Sequence, residues 1–342
     1  GIHSVDVWLS DAQGGILDFG SGFYTRDAAA RIEGVTLAKS LFPAGEPVEA
    51  TIKIQGAAED HQLRVSLFDT DGREVSPPQL LSVAGAGEVK ASLPYLHPQT
   101  LAAKLFVELV KGDEVLDKRL ERAWIETPAE HDFTFIGWYA LSNQPIANFC
   151  MKLLRGLGVD SYVALWSVER AESAAYGNIR FAPENAAPVW PPKTVPKDLV
   201  RVPCLSDPAH RKTVAQSLER QAAETRKFGT TEWSLGDEER LGDDVDYCFS
   251  PSCQSEFRLW LQKQYPGLQA LNESWGSSFK TWDEVMPATL QELKPGAPIG
   301  SWLDHRRYME SLFADYHARG RKSITSQIPA ARVGLSGTQE PT

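Results

Sequence analysis

The stretch Trp233-Ser234-Leu235-Gly236-Asp237-Glu238-Glu239 sets acidic side chains directly behind a short apolar run. Carboxylates crowded on one turn divide their chemistry, because burial and like-charge repulsion raise one pKa and leave another group ionised. Cleaving a glycosidic bond by double displacement needs that division. One carboxylic acid protonates the departing oxygen, and a carboxylate about 5–5.5 Å away attacks the anomeric carbon. The competing reading is a solvated acidic loop capping a helix. The fragment alone does not choose between them.

Such side chains need a rigid platform, and the sequence supplies one in two parts. Residues 1–128 read as β. Val5–Leu9, Val48–Ile54 and Leu63–Phe68 alternate apolar and polar residues, as strands with one face on a core do. Gly14-Gly15, Pro43-Ala44-Gly45, Asp71-Gly72 and Gly112-Asp113 supply turns, and Lys104–Val110 with Leu116–Ile125 forms a closing hairpin. This spacing predicts a β-sandwich, an accessory domain that packs on its neighbour or contacts polysaccharide.

The pattern changes near Thr127-Pro128. Phe133–Tyr139 is a nearly continuous apolar run, predicted to be a strand buried on both sides. Ile146, Phe149, Cys150, Leu153, Leu154 and Leu157 then fall at helical spacing, which makes Cys150 a core residue. Strands at Ser161–Trp166 and Asn178–Ala182, a Pro-rich loop over 188–203, a helix over 208–228 and a strand at Thr231–Leu235 follow. Helices over 254–265 and 300–327 precede a fifth strand, Arg332–Ser336. This rhythm over 129–342, without a Gly-x-Gly-x-x-Gly, predicts an α/β (β/α)8 TIM barrel rather than a doubly wound sheet. The fold class is therefore multidomain. A barrel that stops after its fifth strand is truncated, with an open edge, so further sequence is expected to complete it.

Barrel active sites form at the C-terminal ends of the strands. Trp138 and Tyr139 end the first strand, Trp166 ends the second, Glu184 follows the third and Glu340 follows the fifth. Together with Asp237 and Glu238 they are the predicted cleft residues. Flat aromatic faces suit pyranose rings, although core packing competes for the same side chains. Asp207 before Pro208 is a helix N-cap with proline at the first helical position.

A net charge of −10 disfavours nucleic acid and anionic membrane as partners. No apolar run reaches the roughly 20 residues that span a bilayer. The chain opens at Gly1-Ile2-His3-Ser4 without a basic, apolar leader. Either a signal peptide has been removed, which places the protein outside the cell or in the periplasm, or the sequence starts at a chosen boundary. Four cysteines are too few and scattered for a disulfide framework, and the seven histidines form no His-x-x-x-His pair.

Trp233 to Glu238 resembles the Trp-x-Ile-Asp-Asn-Glu strand of glycoside hydrolase family 42, the barrel β-galactosidases. The likeness runs through Cys248 to Cys253, Phe257-Arg258-Leu259-Trp260-Leu261, Tyr265, Leu271-Asn272-Glu273-Ser274-Trp275-Gly276-Ser277-Ser278-Phe279 and Leu303-Asp304-His305-Arg306-Arg307-Tyr308. It covers roughly residues 200–340 and implies a retaining glycoside hydrolase acting on a β-linked sugar, with Glu238 as acid/base and no organic cofactor. The partner is an oligo- or polysaccharide, and homo-oligomers are common in the family.

Three departures matter. Asp237 stands where the family has the Asn that bonds the sugar 2-hydroxyl. The nucleophile falls on a seventh strand beyond residue 342, leaving Glu340 as a cleft-lining or structural residue. The family's four-cysteine zinc site is matched by Cys204, Cys248 and Cys253, with Ser250 at the fourth position. An eroded site without metal, a zinc completed by another ligand, and a Cys248–Cys253 disulfide all stay open. The rival to the enzyme is a non-catalytic carbohydrate-binding protein built on a glycosidase barrel.

Overall fold

The computed structural model describes residues 2–25, 29–56, 60–83, 85–126, 134–138, 144–190, 197–242 and 248–337. The expected domain boundary at 128/129, Tyr139 and Glu340 lie outside these residues.

The N-terminal part contains β1 (Ile2–Ser10), β2 (Ile16–Thr25), β3 (Arg31–Leu37), β4 (Val48–Gln55), β5 (Gln62–Asp69), β6 (Glu74–Ser82), β7 (Gly87–Leu93), β8 (Ala102–Lys111) and β9 (Glu114–Trp124). Two antiparallel sheets, ordered β3-β4-β7 and β6-β5-β8-β9, share one apolar core. The period-two pattern of the sequence builds it. Val48, Ala50, Ile52 and Ile54 point inward while Glu49, Thr51, Lys53 and Gln55 between them do not. Across β5 and β8 the registered pairs Leu63↔Leu109, Val65↔Val107 and Leu67↔Leu105 are fully enclosed. Each such side chain contributes about 1.5–3 kcal/mol of transfer free energy relative to exposure.

The β1–β2 hairpin departs from expectation. Val5, Val7 and Leu9 share a face, but Val7 is 63% exposed and none of the three is covered. Opposite Val5 and Val7 stand Gly22 and Gly20, and among the described residues β1 and β2 pair only with each other. Trp8 stacks on Phe19 across the other face at 5.3 Å.

The second part alternates strands and helices: β10 (Ile136–Trp138), α1 (Gln144–Gly156), β11 (Ser161–Leu165), α2 (Val168–Tyr176), β12 (Arg180–Glu184), α3 (Pro208–Thr225), β13 (Glu232–Ser234), α4 (Pro251–Gln264), α5 (Leu268–Trp275), α6 (Gly300–Gln327) and β14 (Arg332–Gly334). Parallel ladders join β10 to β11, β11 to β12 and β13 to β14. The amides of Ala186 and Ala187 donate to Ser234 O and Leu235 O, tying the chain after β12 to β13. The strands thus lie in chain order with their C-terminal ends on one side.

Two expectations about burial need correction. Among the described residues the first strand is short and exposed rather than enclosed, because β10 pairs there with β11 only and leaves Phe135, Ile136 and Trp138 open. Helix α1 docks through Ala147, Met151 and, of its predicted apolar stripe, Leu154. Gly177 sits so close to Met151 that a Cβ there would lie 2.4 Å from it. Phe149, at 71% exposure, with Ile146, Leu153 and Leu157, faces outward, and Cys150 is half-buried instead of core.

A further core joins the two parts. Trp124 meets Phe228 edge-on at 4.7 Å, among Leu101, Ala102, Tyr162 and Phe181. Asn178, at φ 60°, accepts from Leu101 N at 3.0 Å and donates to Gln99 O at 2.9 Å. Helix α3 begins where expected, with Asp207 accepting from Ala209 N and His210 N at 3.2 Å.

Candidate active site

Strand β13 sends Trp233 and Leu235 into the helix layer, where Gly320 of α6 lets Leu235 come within 3.2 Å of a Cβ built at that glycine. Alternation then leaves the backbone after Leu235 to turn across the ends of the strands. This turn, Gly236 to Glu239, is fastened on both sides. Ser336 N donates to Gly236 O at 2.9 Å, Asp237 N donates to Asn185 Oδ1 at 2.9 Å, and Trp190 Nε1 donates to Asp237 O at 3.0 Å. Glu238 takes a left-handed φ of 50°. For a residue with a Cβ this costs about 1–3 kcal/mol and persists only where neighbours over-determine it. The Glu238 side chain is exposed and makes no hydrogen bond among the described residues.

Glu239 does the opposite. It is 2% exposed and folds back under Gly236, where a Cβ would lie 1.7 Å from its Oε1. That oxygen accepts from Val189 N at 2.6 Å, and Oε2 pairs closely with His317 Nε2 on α6.

Glu184 ends β12 with only 7% exposure. Burial raises its carboxyl above the usual range; the N–H of Trp138, 2.9 Å from Oε2, works against that, and the charge of Asp237 adds to it. The structure therefore brings together Glu184, Trp138 and Asp237 of the predicted set, and Glu238 is the next residue along the same turn. Trp166 turns elsewhere: it packs on the helix-layer core with Arg220 of α3 over its ring at 5.0 Å, because the chain bends into α2 directly behind it.

Sequence reasoning missed Asn185, Trp190 and His317, and counted Glu239 in the acidic run without giving it a role. A positive φ at Asn185, directly after a strand, was open to suspicion because asparagine enters that region more readily than most residues. The Glu239–His317 pair spans 78 positions and carried no signal.

Cys204, Cys248 and Cys253 hold their sulfurs within 4.8 Å of one another, and all are free thiols, which removes the Cys248–Cys253 disulfide. Hydrogen bonds from Cys204 and Cys253 hold Cys248 far below the usual thiol value, and Arg201 N donates to its sulfur at 3.3 Å. The 3.6 Å between Cys204 and Cys253 is close to the edge, about 3.8 Å, of a tetrahedron with zinc–sulfur bonds of about 2.3 Å. Three corners thus fit a thiolate metal site. The fourth does not: Ser250 Oγ N-caps α4, accepting from Cys253 N at 3.2 Å, and lies 3.0 Å from Cys204 Sγ.

Residues 199–337 match the family model of the glycosyl hydrolase family 42 β-galactosidases. Over that segment the chain is similar to them. Among curated relatives, β-galactosidase BgaA of Planococcus sp. is 28% identical over 104 residues, 27% of this chain and 15% of its own. The Thermus thermophilus β-galactosidase is 37% identical over 79 residues, 22% of this chain and 12% of its own. BglY of Alicyclobacillus acidocaldarius reaches 47% of this chain and 27% of its own, at 28% identity. The chain thus spans only 12–27% of the length of these relatives. A solved β-galactosidase from Marinomonas ef1 gives a TM-score of 0.47 at 14% identity, covering 58% of this chain and 36% of that one. Glu238, Asp237 and the three cysteines lie inside the matched segment; Trp138 and Glu184 precede it.

Proposed function

We propose that this chain is part of a retaining glycoside hydrolase that acts on a β-linked neutral sugar in the manner of a β-galactosidase. Glu238 is its acid/base. The observation that carries the reading is the fastened turn after β13, which holds an exposed carboxylate in a left-handed conformation beside Asp237, within the family-matched segment. In this reading the two antiparallel sheets are a β-sandwich accessory domain, and β10 to β14 are five strands of a (β/α)8 barrel. The nucleophile comes from a later strand outside the 342 residues.

Glu238 protonates the glycosidic oxygen as the nucleophile attacks the anomeric carbon. It then takes a proton from the water that releases the glycosyl-enzyme. The charge of Asp237 beside Glu184 repels a uronate, while the Arg201 guanidinium donates to Leu241 O and Trp190 O. A neutral pyranose is the fitting substrate class.

The test compares aryl β-galactosides of graded leaving-group ability with wild type and Glu238→Ala in the complete protein. General acid catalysis is worth about 10²–10⁴-fold, so kcat/KM for phenyl galactoside, which reports the glycosylation step, should fall by that amount while kcat/KM for an activated dinitrophenyl substrate falls far less. An equal loss for both substrates removes Glu238 from this role. No turnover by wild type on a broad glycoside panel, with retained sugar binding, favours the non-catalytic binder, to which Asp237 in place of asparagine already points.

A further inference from the structure

Glu238 has no side-chain hydrogen bond among the described residues, so within them its direction follows from its backbone. Any relaxation of φ from 50° to the right-handed region would swing the carboxylate away. What prevents it must act on the flanking residues. Asp237 is held by Asn185 and Trp190, both in the chain after β12. On the other flank, Glu239 N meets Gly337 O at 3.4 Å, a long bond. Arg240 N, one residue on, donates to Val189 O at 3.2 Å, and the shorter hold on that flank is the Glu239 side chain.

Its two oxygens reach different elements. Oε1 takes the Val189 amide at 2.6 Å, and Oε2 takes His317 Nε2. His317 is oriented in turn, its Nδ1 lying 2.9 Å from Phe313 O one turn earlier on α6 and its ring meeting Phe313 edge-on at 4.5 Å. A carbonyl and a carboxylate therefore face the two ring nitrogens, an arrangement that an imidazolium paired with a carboxylate satisfies. Glu239 cannot itself be the exchanging acid, since it is buried and both oxygens are taken. Gly236 is required for this packing, because any side chain there would occupy the same space.

We propose that Glu239 and His317 are positioning residues, a buried carboxylate–imidazole strut that ties the β13 turn to α6 and fixes the direction in which Glu238 is presented. The proposal rests on the reading of Glu238 as acid/base, but the strut can be measured without turnover.

The experiment compares Glu239→Ala, Glu239→Gln and His317→Ala in the complete protein. Glutamine can still accept from Val189 N and donate to a neutral imidazole, so it serves as the conservative rescue; alanine can do neither. Misplacing a reacting group by about 1 Å costs roughly 10²-fold, so Glu239→Ala should lose about that in kcat on phenyl β-galactoside with KM nearly unchanged. Glu239→Gln should recover most of it. Amide hydrogen exchange supplies the activity-independent reading: protection at Val189 and over residues 236–240 should drop in Glu239→Ala and His317→Ala and hold in Glu239→Gln.

Full kcat in Glu239→Ala, or unchanged exchange in both alanine variants, overturns the strut. A variant that fails to fold is replaced by the glutamine comparison, where a loss of protection equally overturns it. If wild type turns over no glycoside yet exchange follows the expected pattern, the acid/base reading falls and the strut stands.

Discussion

The indole N–H of Trp138, at the end of β10, donates to Oε2 of Glu184, at the end of β12, over 2.9 Å, bridging two strands that do not pair with each other. That bond is the direct favour the Glu184 carboxylate receives among the described residues, and burial outweighs it. The carboxyl stays raised, so its unfolded value lies below its folded one. Linkage gives the sign: protonation is favoured in the folded state, and the associated stability is lost as pH rises through the raised folded value. Glu184→Gln should therefore gain in Tm over wild type as pH goes from 4 to 8. A Tm difference that does not change with pH contradicts the raised carboxyl.

Trp138→Phe keeps the ring and removes the N–H. Glu184 then loses its compensation and titrates still higher, which carbon-detected NMR of the carboxyl would register. In the proposed enzyme this shifts one limb of the kcat/KM profile if Glu184 contacts the sugar, and leaves it in place if Glu184 only braces the strand ends.

Leu105 is enclosed between the two antiparallel sheets, directly opposite Leu67. Leu105→Ala should destabilise the N-terminal part by about 2–5 kcal/mol, the range for buried leucine truncation. Denaturant unfolding followed by near-ultraviolet signals of that part measures it, and a change under 1 kcal/mol would mean the sheets are loosely packed.

Much of this was readable because local rules and tertiary packing agreed. The alternation over 48–54 and 63–68 built strands with the expected inward faces, and Asp207-Pro208 opened α3. The same alternation misled at Val5–Leu9. Periodicity says which residues share a face and nothing of whether another element covers it. Helix α1 failed in part for that reason too: Ile146, Phe149, Leu153 and Leu157 lie outward while Ala147, Met151 and Leu154 make the contact. Helix α5 was invisible as a helix because it spans eight residues and starts at Gly267 without a side-chain cap. Glu239 and His317 are remote in sequence, and their pairing exists only once α6 crosses behind β13.

The cysteine cluster makes a chemical prediction. Three thiols can hold zinc, but Ser250 spends its oxygen on capping α4. Ser250→Cys supplies a fourth soft donor at the position where a tetrahedral structural site needs one. Retention of zinc against a chelator should rise sharply in the variant, at some loss of helix capping, about 0.5–2 kcal/mol in the metal-free protein. Equal zinc retention by wild type and variant would show that the fourth corner is filled from elsewhere.

Asp237 tests the sugar side of the site. Its backbone is held by Asn185 and Trp190, so Asp237→Asn should leave the turn intact and change only what the side chain offers. An ionised carboxylate accepts hydrogen bonds and cannot donate, whereas an amide does both. It also removes a negative charge beside Glu184, which lowers that carboxyl toward its usual range. If the site takes a plain β-galactoside, asparagine should improve kcat/KM on it, because the added donor can reach a sugar oxygen. A hydrogen bond to a neutral group is worth about 0.5–1.5 kcal/mol, so the gain should be roughly 2- to 10-fold. A loss of activity on galactosides together with gain on none would mean that the native sugar presents donors which Asp237 alone is suited to accept. Profiling both proteins on galactosides, glucosides, fucosides and amino sugars separates these outcomes.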